Sequence, residues 1–333
     1  MILAGDVGGT KTLLAVYDEG ASPRRPRLEV KLPSRDAPSL ETLASGFLSA
    51  SRIPFPRRAV FGIAGPVVNN RCEATNLPWV VSGADVSAAF GGAQVRLVND
   101  LEAAGWGIPA LGAGDLEFLQ SGESATGNRA LIAAGTGLGK SILAWDGARH
   151  RPVASEGGHV DWAPNDALED ELLVWLRARY GHVSAERVLS GAGLADLYRF
   201  LGATGRGLEP AAVAERFRTA DDPAAVVTAA ALDGSCERAH LALEKFVEIY
   251  GAEAGNLALT GLATGGVFVG GGIALHILDA LRAGRFVRAF RAKGRMAPLL
   301  ERMPVAAILD ARVGLWGAAR LALEARTPSG VVE

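Results

Sequence analysis

The sequence predicts an α/β fold with parallel strand pairing, in which two related sheets face each other across a cleft. Apolar runs typical of buried strands alternate with stretches of helical spacing along the chain, and this order favours a parallel sheet. A strand, a glycine-rich loop and a returning strand occur together twice, in residues 2–17 and 130–145. We therefore expect a small α/β domain from residues 1–109 plus 313–330, and a large α/β domain with helical insertions from residues 110–312.

The remaining elements follow from apolar spacing. Short apolar runs bounded by Gly, Pro or polar residues predict strands, and apolar residues three or four apart predict helices. Besides the two hairpins, the predicted strands are residues 28–32, 59–65, 95–100, 267–269 and 305–309, and the predicted helices are 40–51, 101–107, much of 167–261, 241–263 and 313–326.

Composition excludes several classes of protein. The 333 residues, 49% hydrophobic and 21% charged, suffice for two domains with cores of their own. No apolar run approaches the roughly 18 residues of a membrane span, and no signal peptide is expected. The net charge of −2 argues against nucleic acid as a partner. Two distant cysteines, Cys72 and Cys236, form neither a disulfide framework nor a zinc motif, which favours a reducing cytoplasm.

The first hairpin carries the strongest functional signal. Its turn contains Gly8, Gly9, Thr10 and Lys11, preceded by Asp6 at the end of the first strand. Glycines let backbone N–H groups approach an anion closely, and Asp6 is placed to hold a cation beside that anion. The pattern indicates a phosphate loop, although a simple hairpin turn would also favour Gly-Gly.

Asn99 and Asp100 end an apolar strand and precede a helix. Ligands of open α/β sheets bind at the carboxyl ends of strands, so Asp100 could orient and deprotonate a hydroxyl group that attacks phosphorus. Helix capping explains Asn or Asp at this position equally well.

Residues 134–141 match the loose form of a nucleotide P-loop, but we reject that interpretation. A P-loop needs a helix that starts at its lysine, whereas the residues after Lys140 predict a strand. The loop of Gly135, Thr136, Gly137 and Gly139 still suits an anion-binding turn of another geometry.

Three further segments are candidates for the site. Glu156 and His159 flank a glycine pair that would let both side chains turn toward one small ligand, and Glu186 lies in a predicted helix. Structural explanations exist for each: a buried structural histidine, or an exposed surface carboxylate. Gly265, Gly266 and the triplet at residues 270–272 bracket a strand and could admit a flat base, or form a helix C-cap and a tight turn.

Taken together, these segments resemble the bacterial glucokinase family within the hexokinase/actin-type ATPase superfamily. They occur in the family's order and cover nearly the whole chain. The matching segments are residues 5–10, 62–67, 75–79, 97–100, 135–139, 156–159, 186–191 and 265–273.

The resemblance implies two ribonuclease-H-like (actin/hexokinase-type) domains around a central cleft, and ATP-dependent phosphorylation of D-glucose at its 6-hydroxyl. It implies that Asp100 is the general base and that Asp6 holds Mg²⁺ through water. Sugar hydroxyls would be bound by Asn76, Asn99, Asp100, Glu156, His159 and Glu186. ATP would be bound by Gly5, Asp6, Gly8, Gly9, Thr10, Lys11, Gly135, Thr136, Gly137, Gly139, Gly265, Gly266 and Gly271.

Lys140 is unusual for its loop and receives no role from the family, so a phosphate contact and a solvent-facing side chain both remain open. The related ROK sugar kinases often carry a zinc-binding cysteine cluster, and its absence here predicts no structural zinc. By analogy the protein would be a cytoplasmic homodimer. The alternatives are a kinase for another hexose or an amino sugar, and a sugar-sensing regulator without turnover.

Overall fold

The computed structural model describes residues 1–75, 77–123 and 125–324. The chain forms two compact units. The smaller unit comprises Met1–Ala113, Arg151–Ala154 and the segment that begins at Asp310, and the larger unit comprises Gly114–His150 and Ser155–Leu309. The Asn76 predicted for the sugar site lies outside the described residues.

The smaller unit is built on a five-stranded sheet. The strands are β1 (Ile2–Val7), β2 (Lys11–Tyr17), β3 (Leu28–Pro33), β4 (Arg58–Ile63) and, after three short strands, β8 (Gln94–Asn99). Their order is β3-β2-β1-β4-β8. The first hairpin is antiparallel, whereas β1, β4 and β8 run parallel. Parallel strands are covered on both faces, which explains their nearly continuous apolar sequences.

Helices cover both faces of this sheet. Leu3, Phe61 and Leu97 pack on one face with α1 (Leu40–Ala50) and α2 (Gly83–Ala89). Ile2, Ala4 and Val60 pack on the other face with α3 (Asp100–Gly107) and α13 (Val313–Glu324). The short strands β5 (Val67–Val68), β6 (Arg71–Glu73) and β7 (Val80–Ser82) form a separate antiparallel sheet.

The larger unit repeats this plan. A second sheet, whose strands other than β12 belong to this unit, has the order β12-β11-β10-β13-β14-β9. The strands are β9 (Leu116–Gln120), β10 (Arg129–Ala134), β11 (Leu138–Trp145), β12 (His150–Val153), β13 (Val267–Gly270) and β14 (Val305–Ile308). β10 and β11 form an antiparallel hairpin, and β10, β13 and β14 run parallel. The first five strands have the same order as the smaller sheet, and β11, β10, β13 and β14 pair in the same directions as β2, β1, β4 and β8. This arrangement confirms the α/β class and the predicted repetition.

Helices fill the rest of the larger unit. They are α4 (Ala167–Tyr180), α5 (Gly191–Ala203), α6 (Ala211–Thr219), α7 (Pro223–Leu232), α8 (Glu237–Gly261), α9 (Gly272–His276), α10 (Leu278–Arg282), α11 (Arg285–Arg291) and α12 (Ala297–Arg302). The 25-residue α8 lies in the core, with Phe246, Tyr250 and Ala254 fully buried. Among the described residues, no helix combines the length and the apolar character that crossing a membrane requires.

Glycine permits backbone contact between α3, α13 and β4. A Cβ at Gly107 would overlap the carbonyl of Val313, and one at Gly317 would overlap the carbonyl of Ala103. A Cβ at Gly62 would lie 2.8 Å from the Cβ of Ala103. Because α3 begins at Asp100, the absence of these side chains sets the position of Asp100 over the sheet.

We expect Gly317→Ala to lower the free energy of unfolding by about 1–3 kcal/mol, the usual cost of forcing an extra methyl group into a packed interior. Thermal unfolding followed by circular dichroism measures the loss. Gly46→Ala is the matched control: Gly46 lies in α1 with no atom within 4 Å of the added Cβ, and alanine there should stabilise the helix by up to about 1 kcal/mol. Equal unfolding temperatures for Gly317→Ala and the unsubstituted protein would contradict the proposed close packing.

Candidate active site

The turn of the first hairpin is held by its own backbone and by a buried serine. The Gly8 N–H donates to the carbonyl of Lys11 at 3.1 Å. The Ser34 hydroxyl donates to the carbonyl of Gly8 at 2.7 Å, and the Ser34 N–H donates to that of Thr10. Thr10 and Lys11 are exposed at the turn. Gly5 is buried, and a Cβ there would overlap the ring of Phe61, so its missing side chain serves packing within the sheet.

Asp6 lies near the carboxyl end of β1, on the face covered by α13. Side chains alternate between the faces of a strand, so Asp6 follows Ile2 and Ala4 toward the helix side. Its carboxylate faces Gly314 in the first turn of α13, where a Cβ would lie 3.0 Å from Oδ2. Burial and, secondarily, the negative charge of Asp100 raise the pKa of Asp6 to about 7. Two acids therefore lie close together at this edge of the smaller sheet.

Asp100 and Asn99 occupy the start of α3. The Leu101 N–H donates to Asp100 Oδ1 at 2.8 Å and orients the carboxylate. Asn99 is the N-cap: its Oδ1 accepts from the Leu101 N–H at 2.9 Å, and its Nδ2 donates to the carbonyl of Gly65 at 3.1 Å. Asn99 thus performs the capping that was the structural alternative for this pair.

The second glycine loop lies at the corresponding end of the larger sheet. The Gly135 N–H donates to the Gly137 carbonyl at 2.8 Å, and the Gly191 N–H, at the start of α5, donates to the Gly135 carbonyl at 3.0 Å. Because β11 begins at Leu138, earlier than predicted, Gly139 lies within the strand. Thr136 and Gly135 line the cavity described below.

The three predicted sugar ligands of the larger unit lie together beside this loop. Glu186 Oε2 accepts from the Leu138 N–H at 2.9 Å. His159 connects the two acids, with Nδ1 3.9 Å from Glu186 Oε1 and Nε2 4.0 Å from Glu156 Oε2. Glu156 and His159 are about half exposed. The cluster offers a set of donors and acceptors suited to hydroxyl groups.

For Lys140 the structure excludes one of the two open alternatives, because its side chain does not face solvent. It is buried in β11 and forms an ion pair with the buried Glu253 of α8. Glu253 also accepts from Asn256 Nδ2 at 2.9 Å, and Asn256 accepts from Lys293 at 2.7 Å. The ammonium group that was one candidate for a phosphate contact is thus engaged by a carboxylate.

The predicted cofactor glycines fall at opposite ends of β13. Gly271 follows the strand and lies against Ala134, whose carbonyl a Cβ would overlap, and its φ of +87° also favours glycine. Gly265 and Gly266 precede the strand, where Gly265 packs against the carbonyls of Gly127 and Asn128. The structure therefore brings Gly271 to the second glycine loop, whereas Gly265 and Gly266 lie at the opposite end of β13.

Tyr250, which the sequence did not single out, holds the strand ends beside the second loop. Its buried hydroxyl accepts from the Ala134 N–H at 3.1 Å and donates to the Gly270 carbonyl at 3.1 Å. Tyr250 lies in α8, more than a hundred residues from Ala134, so no local motif marks it. Gly314 and Ser34 escaped detection for the same reason.

A cavity of about 950 Å³ adjoins the second loop within the larger unit. Its walls come from the loop and from the helices α5, α7 and α9. Its ionisable lining residues are Arg199, Asp221, Asp222 and His276. The size is that of a small-molecule site, and the position at the carboxyl ends of β10 and β13 is where α/β sheets bind ligands.

Within the part of the chain that the structure describes, no three His, Cys, Asp or Glu side chains form a group able to hold a metal ion. The acid pair of Asp6 and Asp100 is a smaller donor set. Mg²⁺ in phosphoryl-transfer sites is usually held by one or two carboxylates together with substrate phosphates, so this pair fits that ion.

Comparison with known proteins identifies the relatives of this chain. A sequence profile of the Glucokinase family matches residues 3–325. The glucokinase of Trichormus variabilis is 40% identical over 334 residues, covering 96% of this chain and 98% of the relative. The crystal structure of a glucokinase from an Antarctic psychrotroph superposes with a TM-score of 0.81 at 31% identity, covering 96% and 98% of the two chains. A ROK family glucokinase from Streptomyces griseus, in complex with glucose and AMPPNP, gives a TM-score of 0.62 at 25% identity, with the same coverage.

The raised pKa of Asp6 predicts a pH-dependent stability in the absence of ligands. Between pH 4 and 7 the folded state keeps a proton that the unfolded state has released, so stability falls as pH rises through this range. The shift from 3.8 to about 7 corresponds to a loss on the order of 4 kcal/mol. Asp6→Asn keeps the shape without the charge and should therefore be more stable than the unsubstituted protein at pH 8.

Urea unfolding at pH 4.5, 6 and 8 tests this expectation. The difference between the two proteins should grow up to about pH 7 and then level off. A difference independent of pH would show that Asp6 does not titrate in this range.

Proposed function

The chain belongs to the glucokinase family, and from that premise we propose that it transfers the terminal phosphoryl group of ATP to the 6-hydroxyl of D-glucose, giving glucose 6-phosphate and ADP. The main observation that supports particular residues for this function is the acid pair of Asp6 and Asp100 in the smaller unit. Asp100 is oriented by the start of α3, and Asp6 lies near enough for the charge of Asp100 to raise its pKa.

Asp100 is the proposed general base. In a loose phosphoryl-transfer transition state the attacking hydroxyl loses its proton late, so an ordinary carboxylate can accept it. The Leu101 N–H orients the Asp100 carboxylate, and this carboxylate is proposed to accept the proton of the 6-hydroxyl. Positioning and charge neutralisation supply most of the acceleration in such reactions.

Asp6 is the proposed residue for Mg²⁺, held through water. A divalent cation bound there would offset the negative charge of Asp6 and of a phosphate group, and it would shift Asp6 toward its charged form. The turn of Gly8 to Lys11 adjoins Asp6 and supplies backbone N–H groups and a lysine for phosphate oxygens.

The nucleotide is proposed to bind in the larger unit. The support is the 950 Å³ cavity beside Gly135 and Thr136, together with the close approach of Gly271 to the same strand ends. Glu156, His159 and Glu186 are proposed to bind sugar hydroxyls, with Asn99 as a further candidate. Sites that hydrogen-bond a substrate hydroxyl discriminate strongly against analogues that lack it.

A cytoplasmic location and a homodimer are proposed from the family resemblance. The two cysteines, both buried and unbridged, agree with a reducing compartment. Light scattering of the purified protein measures the oligomeric state.

An ADP-release assay over a panel of hexoses tests the function. We expect turnover with glucose that requires Mg²⁺, and weaker turnover with mannose, fructose and glucosamine. Asp100→Asn should lower kcat by about 10²–10⁴-fold while glucose binding, measured by calorimetry, persists.

Each contrary result of this assay has a distinct meaning. Preference for another sugar would reassign the substrate. Glucose binding without ADP release would favour a sensor, and near-normal turnover by folded Asp100→Asn would remove Asp100 from the role of base.

A bulky residue in the cavity tests the nucleotide site. Ala225 is exposed in α7 and lines the cavity, so Ala225→Trp should fill it without disturbing the core. We expect the KM for ATP to rise at least about tenfold while the KM for glucose changes little. Val174→Trp, at a 66% exposed position in α4, is the control. An unchanged KM for ATP in Ala225→Trp would place the nucleotide elsewhere.

A further inference from the structure

A second cavity of the larger unit has no part in the proposed reaction. It has a volume of about 400 Å³ and lies at the starts of β10 and β13. Phe118, Phe268, Pro304 and Ala306 give it apolar walls, and Gly265 and Gly266 form part of its lining. Among the described residues of its lining, the one charged residue is Arg129, the first residue of β10.

Arg129 has an unusual environment for an arginine. Its Nε is shielded from solvent and has no hydrogen-bond partner among the described residues. The guanidinium group lies over the ring of Phe268, 5.7 Å from its centre, and burial lowers the pKa of Arg129. By contrast, Arg282 and Arg285 of the same unit each bond to carboxylates.

A partly desolvated charge without a carboxylate partner is unfavourable. An anion in the cavity would remove that cost, because a guanidinium group binds a carboxylate through two parallel hydrogen bonds. The ring of Phe268 holds the guanidinium on one side and so orients it without satisfying its N–H groups.

We propose that this cavity binds a small carboxylate with an apolar body, the carboxylate on Arg129 and the apolar part against Phe118 and Pro304. A single cation among apolar walls suits such a ligand better than a bare inorganic anion, which would need several polar donors. A volume of 400 Å³ admits a molecule the size of a substituted aromatic acid.

The site is separate from the nucleotide cavity. Arg129 starts β10, whereas Gly135 follows its last residue, and Gly266 and Gly271 flank β13 in the same way. Strands of this length span on the order of 15–20 Å. Carboxylate binding at Arg129 should therefore persist when the nucleotide cavity is filled.

Calorimetric titration with benzoate, in the presence of saturating AMPPNP and glucose, tests the proposal. We expect binding of benzoate with one site per chain, and much weaker binding of neutral benzamide and of inorganic phosphate. Arg129→Met should weaken benzoate binding at least about tenfold. Arg295→Met, at an exposed position of the same unit, should leave it unchanged.

A second variant guards against misfolding of Arg129→Met. Ser121 is exposed and lines the cavity, so Ser121→Trp should block benzoate while Arg129 remains in place. The ADP-release activity of both variants should stay near normal, which distinguishes this site from the active site. Absence of benzoate binding, equal binding by Arg129→Met, or loss of binding on adding AMPPNP would each overturn the proposal.

Discussion

Direct backbone contact between α3, α13 and β4 is the constraint on which the geometry of the smaller unit depends. Gly62, Gly107 and Gly317 each occupy a position where a Cβ would meet another segment. A helix pair this close leaves little freedom for sliding, because interiors are packed as densely as organic crystals. The same helices position both acids, because Asp100 begins α3 and Asp6 faces Gly314 at the start of α13. The position of the proposed general base therefore depends on glycines whose missing side chains allow this contact.

The larger unit reaches a similar sheet by other means. Its strand ends are joined by polar side chains of the buried helix α8, where Tyr250 bridges β10 and β13 and Glu253 pairs with Lys140 of β11. Buried polar groups of this kind are costly unless fully paired, and they favour one register of helix against sheet. The two sheets therefore share strand order but differ in the interactions that hold their strand ends.

Local features could be predicted from the sequence, and long-range partners could not. The sequence predicts both glycine turns and the strand ends that carry Asp6, Asn99 and Asp100. These features are predictable because strand periodicity and turn chemistry depend on neighbouring residues. Tyr250, Gly314 and Ser34 were missed, since each acts on a segment distant in sequence. For Lys140 the sequence left a phosphate contact and a solvent-facing side chain open. The structure shows a buried ion pair with Glu253, which lies 113 residues away and could not be read from neighbouring residues. Gly265 and Gly266 illustrate a different limit of sequence analysis. Glycine indicates a close approach to the backbone, but the sequence does not show whether a ligand or another segment of the chain approaches.

At the acid pair, the negative charge of Asp6 lowers the stability of the ligand-free protein, whereas the same charge is needed for the proposed cation site. Asp6 is held in a buried position beside another carboxylate, so in the ligand-free protein its charge is unfavourable near neutral pH. An amide would fit the space at lower cost, yet an amide brings no negative charge to a cation. Retaining the acid makes sense when a cation is part of the working state, because the same burial that disfavours an isolated charge strengthens its attraction to an ion of opposite sign. The unfavourable electrostatics of the free protein and the proposed affinity for Mg²⁺ thus have one physical origin.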